Sequence, residues 1–315
     1  MKILVTGAAG FIGSHLSEEL ANNGHDVTGV DNFSSYYSRE LKELNREDLI
    51  ANGVNFKELD LREDLSKHLS NDFDVVYHFA AQPGISASTP FDDYLENNVL
   101  ATQNLLSFLL TQKRKKMMFV NIATSSIYGF EATSPETAAP EPVSDYGVTK
   151  LAAEQLVMAA QRSGKIDACS IRCFSVYGPR ERPEKLYTKL IASIFDGTSF
   201  PLYEGSLSHE RSFTYVGDIV KGLEMVLNKK DMCNGEIINL GSDEVYTTGE
   251  GISLIEEIIG KKANFDIVAK RPGDQLKTSA NIDKAKKLLN YHPTTSFKDG
   301  LKKQVTWYEE KFRSN

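Results

Sequence analysis

A phenol and an ammonium group stand four residues apart in Tyr146-Gly147-Val148-Thr149-Lys150. In a helix this spacing places both groups on one face, one turn apart. A free phenol has a pKa of about 10, and a nearby ammonium stabilises the ionised form by roughly 1 to 3 units. Tyr146 is therefore a candidate general base for a hydroxyl proton. The chain contains 13 tyrosines, so a pair with this spacing is expected by chance and needs support from its surroundings.

Hydroxyl groups lie upstream of that pair, where a strand-like run ends in Ala123-Thr124-Ser125-Ser126. A Thr124 hydroxyl beside Tyr146 would share the reacting proton, and Ser125 and Ser126 would face the reacting molecule. The alternative is that this serine-rich turn merely ends a strand.

Three glycines, Gly7, Gly10 and Gly13, separate an apolar run over residues 2–6 from a stretch with helical spacing over residues 12–20. A strand, tight turn and helix of this kind bring the pyrophosphate of a dinucleotide against the amino terminus of the helix. The spacing is GxxGxxG rather than GxGxxG, and glycines also serve plain turns. The strand, the helix and an acid at the end of the next strand together favour a dinucleotide site.

That acid is Asp31, at the end of the strand candidate Asp26 to Asp31. Its carboxylate can accept hydrogen bonds from the adenine ribose hydroxyls and would repel a 2′-phosphate, while Asn32 and Phe33 supply no cation. The sequence therefore predicts NAD rather than NADP. The positive nicotinamide of NAD+ would also stabilise the Tyr146 phenolate.

Further cofactor contacts are expected where later strands end. Asp60 follows the third strand candidate, where an adenine contact would be made, and Ala80 and Ala81 follow the fourth, where small side chains admit the backbone to the cofactor. Each is equally compatible with a simple loop. The predicted cofactor contacts are Gly7, Gly10, Phe11, Ile12, Gly13, Asp31, Asn32, Asp60, Leu61, Ala80, Ala81, Gln82, Asn98, Tyr146 and Lys150.

Strand candidates alternate with helical or loop-rich sequence up to about residue 175. This alternation predicts an α/β fold, a Rossmann-type doubly wound parallel sheet with helices on both faces. Loops rich in Pro, Gly, Arg and Tyr then indicate a smaller carboxyl-terminal α/β lobe for the substrate. A helix over Val216 to Leu227 and a strand over Glu236 to Leu240 are expected to return to the sheet. The expected domains are 1–175 with 214–242 for NAD, and 176–213 with 243–315 for the substrate.

Composition limits the possible partners. The net charge of −7 opposes generic attraction to nucleic acid or to an anionic membrane, and no apolar run is long enough to cross a bilayer. The amino-terminal segment lacks the pattern of a signal peptide, so a cytoplasmic location is expected. Cys169, Cys173 and Cys233 are expected to stay reduced, and the absence of zinc-ligand spacing predicts no metal.

On the glycine turn, Thr124, Tyr146 and Lys150, the chain resembles the extended short-chain dehydrogenases/reductases, specifically the nucleotide-sugar epimerase and dehydratase group. The resemblance extends to Gly273-Asp274 and beyond, essentially the whole chain. It implies that Thr124, Tyr146 and Lys150 form the catalytic triad and that NAD stays permanently bound.

The resemblance also implies a homodimer formed through two helices of each subunit, here Phe91 to Leu110 and Tyr146 to Ala160. Ala101 stands where glycine is commoner in the group, which should alter packing slightly and leave the chemistry intact.

The two residues after Thr124 bear on the reaction. Dehydratases and decarboxylases of the group usually carry an acid there, as Thr-Asp-Glu or Thr-Ser-Glu, whereas this chain has Ser125 and Ser126. The resemblance therefore implies a 4-epimerase, which oxidises C4, lets the 4-keto sugar rotate and returns hydride to the other face. The alternatives are another nucleotide-sugar enzyme of the group, such as a UDP-glucose or UDP-GlcNAc 4-epimerase, a dehydratase or a decarboxylase, and a non-catalytic NAD sensor.

Three segments are similar to UDP-glucuronate 4-epimerases: Asp31 to Tyr37, Gln82-Pro83-Gly84 and Arg180 to Glu184. Ser175 stands where those enzymes have Thr or Ser and galactose epimerases tend to have Asn, so it is expected to bind a sugar carboxylate. Glu184-Lys185-Leu186 departs from the usual Asp-Met-Ala.

The resemblance assigns the rest of the nucleotide sugar as well. Arg211 and Arg271 match positions that clamp the diphosphate, a role that suits guanidinium groups, although each could instead pair with a surface acid. Tyr203 matches the position that packs the nucleotide base. The implied substrate contacts are Ser125, Ser126, Ser175, Arg180, Arg182, Tyr203, Arg211, Arg271 and Asp274.

Overall fold

The computed structural model describes residues 1–86, 88–111, 117–269 and 277–313. The strands are β1 (Lys2–Thr6), β2 (Asp26–Asp31), β3 (Asn55–Glu58), β4 (Val75–His78), β5 (Met118–Thr124), β6 (Asp167–Cys173), β7 (Val176–Tyr177), β8 (Ser199–Tyr203), β9 (Glu210–Arg211), β10 (Thr214–Tyr215), β11 (Ile237–Leu240), β12 (Tyr246–Thr247), β13 (Asn264–Val268) and β14 (Lys277–Thr278). The α-helices are α1 (Phe11–Asn22), α2 (Arg39–Ala51), α3 (Phe91–Tyr94), α4 (Ala101–Leu110), α5 (Asp145–Arg162), α6 (Leu186–Asp196), α7 (Val216–Asn228), α8 (Lys230–Cys233), α9 (Thr248–Ile259), α10 (Asp283–Leu289) and α11 (Phe297–Phe312).

Seven parallel strands form the central sheet in the order β11-β6-β5-β4-β1-β2-β3. The predicted doubly wound Rossmann-type fold is confirmed. The order reverses at β1, so a crevice opens outside the carboxyl ends of β1 and β4, where such sheets bind ligands. Thr6, Asp31, His78 and Thr124 all end strands at this edge.

Alternate residues of β1 face opposite sides of the sheet, as strand geometry requires. Ile3 and Val5 pack in one buried cluster with Leu16 of α1. Leu4 packs in a second cluster with Leu105 of α4. Each face of the sheet therefore has its own apolar core and its own layer of helices.

The chain returns to the sheet late in the sequence. Helix α7 leads to β11, which pairs in parallel with β6 so that Ile238 lies opposite Ile171. One edge of the central sheet, β11, is thus formed by residues beyond position 175, as the pattern over Glu236 to Leu240 predicted.

The remaining carboxyl-terminal elements form a smaller lobe around an aromatic core. The Phe297 ring of α11 stacks on Phe213 and Tyr246 and meets Tyr177 edge-on, with ring centroids 5.6, 4.4 and 5.4 Å away. Helix α11 packs against α6 and α9. Short strands β8 and β13 pair in parallel at the outside of this lobe.

The predicted helix over Phe91 to Leu110 is not uniform. A π-helical turn, Leu95–Leu100, separates α3 from α4. Asn98 lies in this turn and is 1% exposed, with its side chain hydrogen-bonded to other segments of the protein. Wider turns of this kind are frequent at functional sites, because they redirect one side chain without ending the helix.

No helix among the described residues is both long and apolar enough to cross a bilayer.

Candidate active site

The glycine turn between β1 and α1 packs closely against its neighbours. Gly7 has φ +70°, and a Cβ atom on it would come within 2.8 Å of the Ala80 nitrogen. A Cβ on Gly13 would lie 2.3 Å from the Gly7 oxygen. Asn45 of α2 holds the turn by donating to the Ala9 carbonyl at 2.8 Å. Side chains at these two glycines would collide with the backbone, so the tight turn and close helix packing of a dinucleotide site require glycine here.

Asp31 ends β2 and is 8% exposed. Its Oδ1 accepts the Phe33 N–H at 2.9 Å and lies 4.0 Å from the Lys42 Nζ of α2. Burial raises the pKa of Asp31, while Lys42 and the N–H groups of Phe33 and Ala9 oppose that rise. Asn32 and Phe33 supply no cation, but helix α2 brings Lys42 beside Asp31 from eleven residues downstream. That ammonium is already engaged, since it also donates to the Ser34 carbonyl at 2.9 Å.

Asp60 follows β3, where the adenosine part of the cofactor is expected, and its carboxylate accepts four hydrogen bonds within the protein. Arg62 donates three hydrogen bonds to it, at 2.8 to 3.0 Å, and Asn32 donates one at 3.1 Å. These donors lower its pKa to about 2. A carboxylate offers about four lone-pair sites, so an adenine amino group would have to displace one of these donors. The adenine contact of Asp60 stays a prediction, and the neighbouring Leu61 is buried.

Asn98 supports the cofactor loop rather than facing the crevice. Its Oδ1 accepts the Gln82 N–H at 2.7 Å, and its Nδ2 donates to Thr149 of α5 at 3.0 Å. Ala80, two residues before Gln82, donates its N–H to Thr6 Oγ1 at 3.2 Å. Both polar ends of the Asn98 side chain are thus bonded within the protein, and its predicted cofactor contact stays a prediction.

Tyr146 lies in the first turn of α5, which Ser144 caps by accepting the Gly147 N–H at 3.1 Å. A hydrogen bond joins the hydroxyls of Tyr146 and Thr124 at the end of β5. Burial raises the pKa of Tyr146 most, and Thr124 and Arg182 lower it. The predicted juxtaposition of the two hydroxyls is therefore present in the structure.

Lys150 follows one turn later and is 3% exposed. Burial lowers its pKa to about 8, although Cys173 and Glu154 act to raise it. Arg182 is among the groups that lower the pKa of Tyr146. That the Lys150 ammonium, one turn along α5, also stabilises the phenolate stays a prediction.

Glu154, a further turn along α5, is a buried anion that the sequence reasoning missed. Its carboxylate accepts from Arg172 Nη2 at 2.6 Å, from Arg172 Nε at 3.0 Å and from Ser170 Oγ at 2.9 Å. Tyr146, Lys150 and Glu154 share one helix face, and the i, i+4, i+8 spacing was the available signal.

Arg182 is the arginine of the 180–182 segment that faces the crevice. Its guanidinium lies 5.4 Å from the Tyr36 ring centroid and forms an ion pair with Glu184 at 3.1 Å. A Cβ on Gly84 would come within 3.4 Å of its Nη2. The segments predicted from the resemblance, around Tyr36, Gly84 and Arg182, therefore meet in space.

Arg180 points the other way. It donates two hydrogen bonds to Glu18 of α1, at 2.8 and 2.9 Å, and one to Asp48 of α2 at 2.8 Å. Its backbone has φ +66°. The predicted substrate contact of Arg180 is corrected to a structural one, because its guanidinium is bound by two carboxylates that hold its loop against the NAD-type lobe.

The other predicted substrate residues lie on elements that border the crevice. Ser125 and Ser126 form the 3₁₀ turn after β5, where Ser126 N–H donates to Thr124 Oγ1 at 3.2 Å. Ser175 follows β6 and is half-buried, Tyr203 ends β8, and Arg211 lies in β9. Arg271 and Asp274 lie outside the described residues.

A cleft of about 880 Å³ lies between the loops that follow β2, β3 and β4 and the carboxyl-terminal lobe. Asn32 and Asp60 line it from the first two loops, Gln82 and Ser86 from the third, and Glu184 from the carboxyl-terminal lobe. No group of three or more potential metal-ligating side chains occurs among the described ranges.

A Rossmann-type sheet with this glycine turn, with Asp31 and with hydrogen-bonded Thr124 and Tyr146 one turn from Lys150, defines a short-chain dehydrogenase/reductase. Residues 4–304 match the model of the family described as GDP-mannose 4,6 dehydratase. The chain belongs to this family of nucleotide-sugar epimerases and dehydratases.

Three relatives show how far the similarity extends. An uncharacterised UDP-glucose epimerase of Bacillus subtilis, YtcB, is 39% identical, with 98% of each chain covered. UDP-glucuronate 4-epimerase 6 of Arabidopsis thaliana is 34% identical over 98% of this chain and 71% of its own length. The UDP-glucuronic acid 4-epimerase of Bacillus cereus, solved with UDP-glucuronic acid and NAD, is 38% identical with a TM-score of 0.92, covering 99% of this chain and 100% of that one.

Proposed function

We propose that this protein interconverts UDP-glucuronate and UDP-galacturonate by NAD-dependent epimerisation at C4. At the coarser level the chain is an isomerase, an NAD-dependent nucleotide-sugar epimerase, and NAD is its cofactor. The observation that carries the uronate assignment is the crevice-facing Arg182, whose charge reaches Tyr146. A cation at that place complements a carboxylate on the sugar that Tyr146 deprotonates.

Tyr146 removes the proton of the C4 hydroxyl in the first half of the reaction. NAD held by the glycine turn and Asp31 accepts the C4 hydride and later returns it. Burial favours the neutral phenol, so Thr124, Arg182, the Lys150 ammonium and the positive charge of bound NAD+ would together stabilise the phenolate. Thr124 also keeps the phenol oxygen in place through its hydrogen bond.

The second half of the reaction reverses these transfers on the other face of the sugar. The 4-keto sugar rotates, hydride returns to C4, and Tyr146 returns the proton to the C4 oxygen, so the cofactor ends in its starting state. Arg211 anchors the diphosphate while the sugar turns. Ser125 and Ser126 offer hydroxyls but no carboxylic acid, so no second acid is present there to eliminate water or to assist decarboxylation.

The nucleotide sugar is identified by incubating the purified protein with UDP-, dTDP- and CDP-sugars and assigning the products by NMR. Interconversion of UDP-glucuronate and UDP-galacturonate faster than UDP-glucose and UDP-galactose supports the proposal. Faster turnover of the neutral pair would overturn the uronate assignment and leave the epimerase class intact, in line with the name of the Bacillus subtilis relative.

We also propose a homodimer formed through the helices at α4 and α5. Leu100 at the end of the π-helical turn is 51% exposed, and Val148 of α5 is 45% exposed, although both belong to otherwise packed helices. Pairing these faces with those of a second copy would remove apolar surface from water. Light scattering of the wild type against a Leu100→Glu, Val148→Glu double variant tests this: a dimer in the wild type and a monomer in the variant are expected.

A further inference from the structure

Three successive residues of the loop between β7 and α6 reach in three directions. Arg180 binds α1 and α2, Arg182 faces the crevice, and Glu181 turns towards the carboxyl-terminal lobe. The loop is short, with Glu181 N–H bonded to the Gly178 carbonyl and Lys185 N–H to the Arg182 carbonyl, both at 3.1 Å. Glu181 and Arg182 are adjacent in this short loop, so a movement of Glu181 also moves Arg182.

Glu181 is 6% exposed and is held by neutral donors. Its Oε2 accepts from Gln304 Nε2 of α11 at 2.8 Å and from Thr188 Oγ1 of α6 at 3.1 Å, and Gln304 also donates to Thr188 at 3.0 Å. None of the ion pairs found within the described ranges includes Glu181. Burying a carboxylate without an ionic partner costs free energy, so the surroundings of Glu181 disfavour its ionised form.

Thr188 and Gln304 hold the Glu181 carboxyl group between them, and we call this pair the clamp. The clamp can satisfy either charge state of that carboxyl group. Gln304 Oε1 is buried and has no hydrogen-bond partner. When Glu181 is ionised, Gln304 donates to it, as observed. When Glu181 is protonated, a 180° rotation of the Gln304 amide presents Oε1 as the acceptor for its O–H.

We propose that Glu181 is a positioning residue that sets how strongly Arg182 and Lys185 attract the anionic substrate, through a carboxyl group clamped between Thr188 and Gln304. The inference rests on the proposed function only in taking a negatively charged nucleotide sugar as substrate. An ionised Glu181 competes with the substrate for the two cations, whereas a neutral Glu181 leaves their charge to the crevice.

The surrounding charges are consistent with this role. Burial raises the pKa of Glu181 to about 7, and Gln304, Lys185, Thr188 and Arg182 oppose the rise. The groups that face it from its own loop and from the packed helices are Arg182, Lys185, Tyr187, Thr188 and Gln304, and a small cavity beside it is lined by Tyr37, Asp48, Arg180 and Lys311. Arg182 also lowers the pKa of Lys185, which is exposed. Its deprotonation must therefore be separated experimentally from that of Glu181.

The test compares the wild type with Glu181→Gln, which keeps the clamp without the charge. Steady-state turnover of UDP-glucuronate is measured from pH 5.5 to 8.5, where both the diphosphate and the sugar carboxylate stay ionised. For the wild type, KM is expected to rise roughly three- to tenfold through pH 7, the size of one charge a few ångströms away in a partly solvated site, while kcat shows no matching step. Glu181→Gln should keep the low-pH KM up to pH 8.

Two control variants separate the other charges. Lys185→Met should retain the KM step but move it to higher pH, because Lys185 lowers the pKa of Glu181. Glu257→Gln removes an exposed carboxylate, paired with Lys298, from the same lobe and should follow the wild-type profile. A Glu181→Gln variant with the wild-type rise in KM would overturn the proposal, as would a Lys185→Met variant in which the whole step disappears.

A second readout needs no turnover. Because the folded-state pKa of Glu181 lies above its ordinary value of 4.5, ionising it destabilises the fold increasingly from pH 4.5 to about 7. The unfolding midpoint of Glu181→Gln in denaturant should therefore exceed that of the wild type at pH 8 and approach it at pH 4.5.

If the wild type leaves UDP-glucuronate unchanged, the proposed function fails. The clamp is then judged by calorimetric binding of UDP-glucose, whose diphosphate stays fully ionised from pH 6 to 8. Binding should weaken over this range in the wild type alone, and equal weakening in Glu181→Gln would contradict the proposal.

Discussion

The lobe built on the seven-stranded sheet and the carboxyl-terminal lobe contribute different kinds of groups to the crevice. On the sheet side the site consists of backbone and of short side chains with their hydrogen bonds satisfied, as at Gly7, Thr124 and Asn98. On the other side it consists of long cationic side chains carried by loops and short strands, such as Arg182 and Arg211. The sheet side is suited to fixed chemistry, and the loop side is suited to choosing the substrate.

Replacing Tyr146 should produce the largest effect, because it removes the proton acceptor that every substrate needs. Tyr146→Phe is expected to retain NAD and to lose roughly 100-fold or more in kcat, for charged and neutral sugars alike. Turnover by NMR and cofactor content after acid denaturation check both parts. Near-normal turnover in a folded, NAD-loaded variant would remove Tyr146 from its role.

Arg182 and Arg180 test whether the loop side governs substrate choice. Arg182→Ala should lower kcat/KM for UDP-glucuronate by roughly ten- to a hundredfold, the cost of a charge-assisted hydrogen bond, and that for UDP-glucose by less, since a neutral sugar loses only the effect of Arg182 on Tyr146. Arg180→Ala should leave the ratio of the two substrates unchanged and lower the midpoint of unfolding, because it removes the cation paired with Glu18 and one of the two cations paired with Asp48, the other being Lys311. Equal losses for both sugars in Arg182→Ala would contradict the division between the lobes.

Asp31 tests the cofactor end of the sheet side. Asp31→Ser should weaken NAD binding about tenfold, since it removes a charged hydrogen-bond acceptor for the ribose. It should also admit NADP, because Lys42 is released and Arg39 lies 4.5 Å from the neighbouring Phe33 ring. Calorimetric titration of cofactor-free protein with each dinucleotide measures both. Asp26→Ser, which removes an exposed carboxylate at the opposite end of β2, is the matched control and should keep the preference for NAD.

Asp60 should show the smallest effect. Its pKa of about 2 lies below the ordinary 3.8, so its ion pair with Arg62 stabilises the fold above pH 3.8 and ceases to do so as the pH falls through 2. Because both side chains are partly exposed, Asp60→Asn should cost less than about 1 kcal/mol at pH 7. Denaturant unfolding from pH 2 to 7 measures the difference, which should vanish at the acidic end. A larger loss that persists at pH 2 would show that hydrogen-bond geometry, not charge, is what Asp60 contributes.

The sequence by itself determined the parallel sheet, the glycine turn, the acid at the end of β2 and the Tyr146–Lys150 pair. These features are local, because strand and helix periodicity, turn chemistry and a four-residue spacing are each set within a few residues. The late return of β11 was also predictable, because a buried strand leaves an apolar run wherever it occurs in the chain.

Only the tertiary structure decided which charges meet. Lys42 reaches Asp31, Glu18 and Asp48 capture Arg180, and Gln304 reaches Glu181 across 123 residues. Arg180 and Arg182 therefore have different roles although only one residue separates them: Arg180 is structural, and Arg182 faces the crevice. The physical reason is that a charge acts over a few ångströms of space regardless of its distance along the chain, and its partners, burial and pKa exist only once the elements have packed.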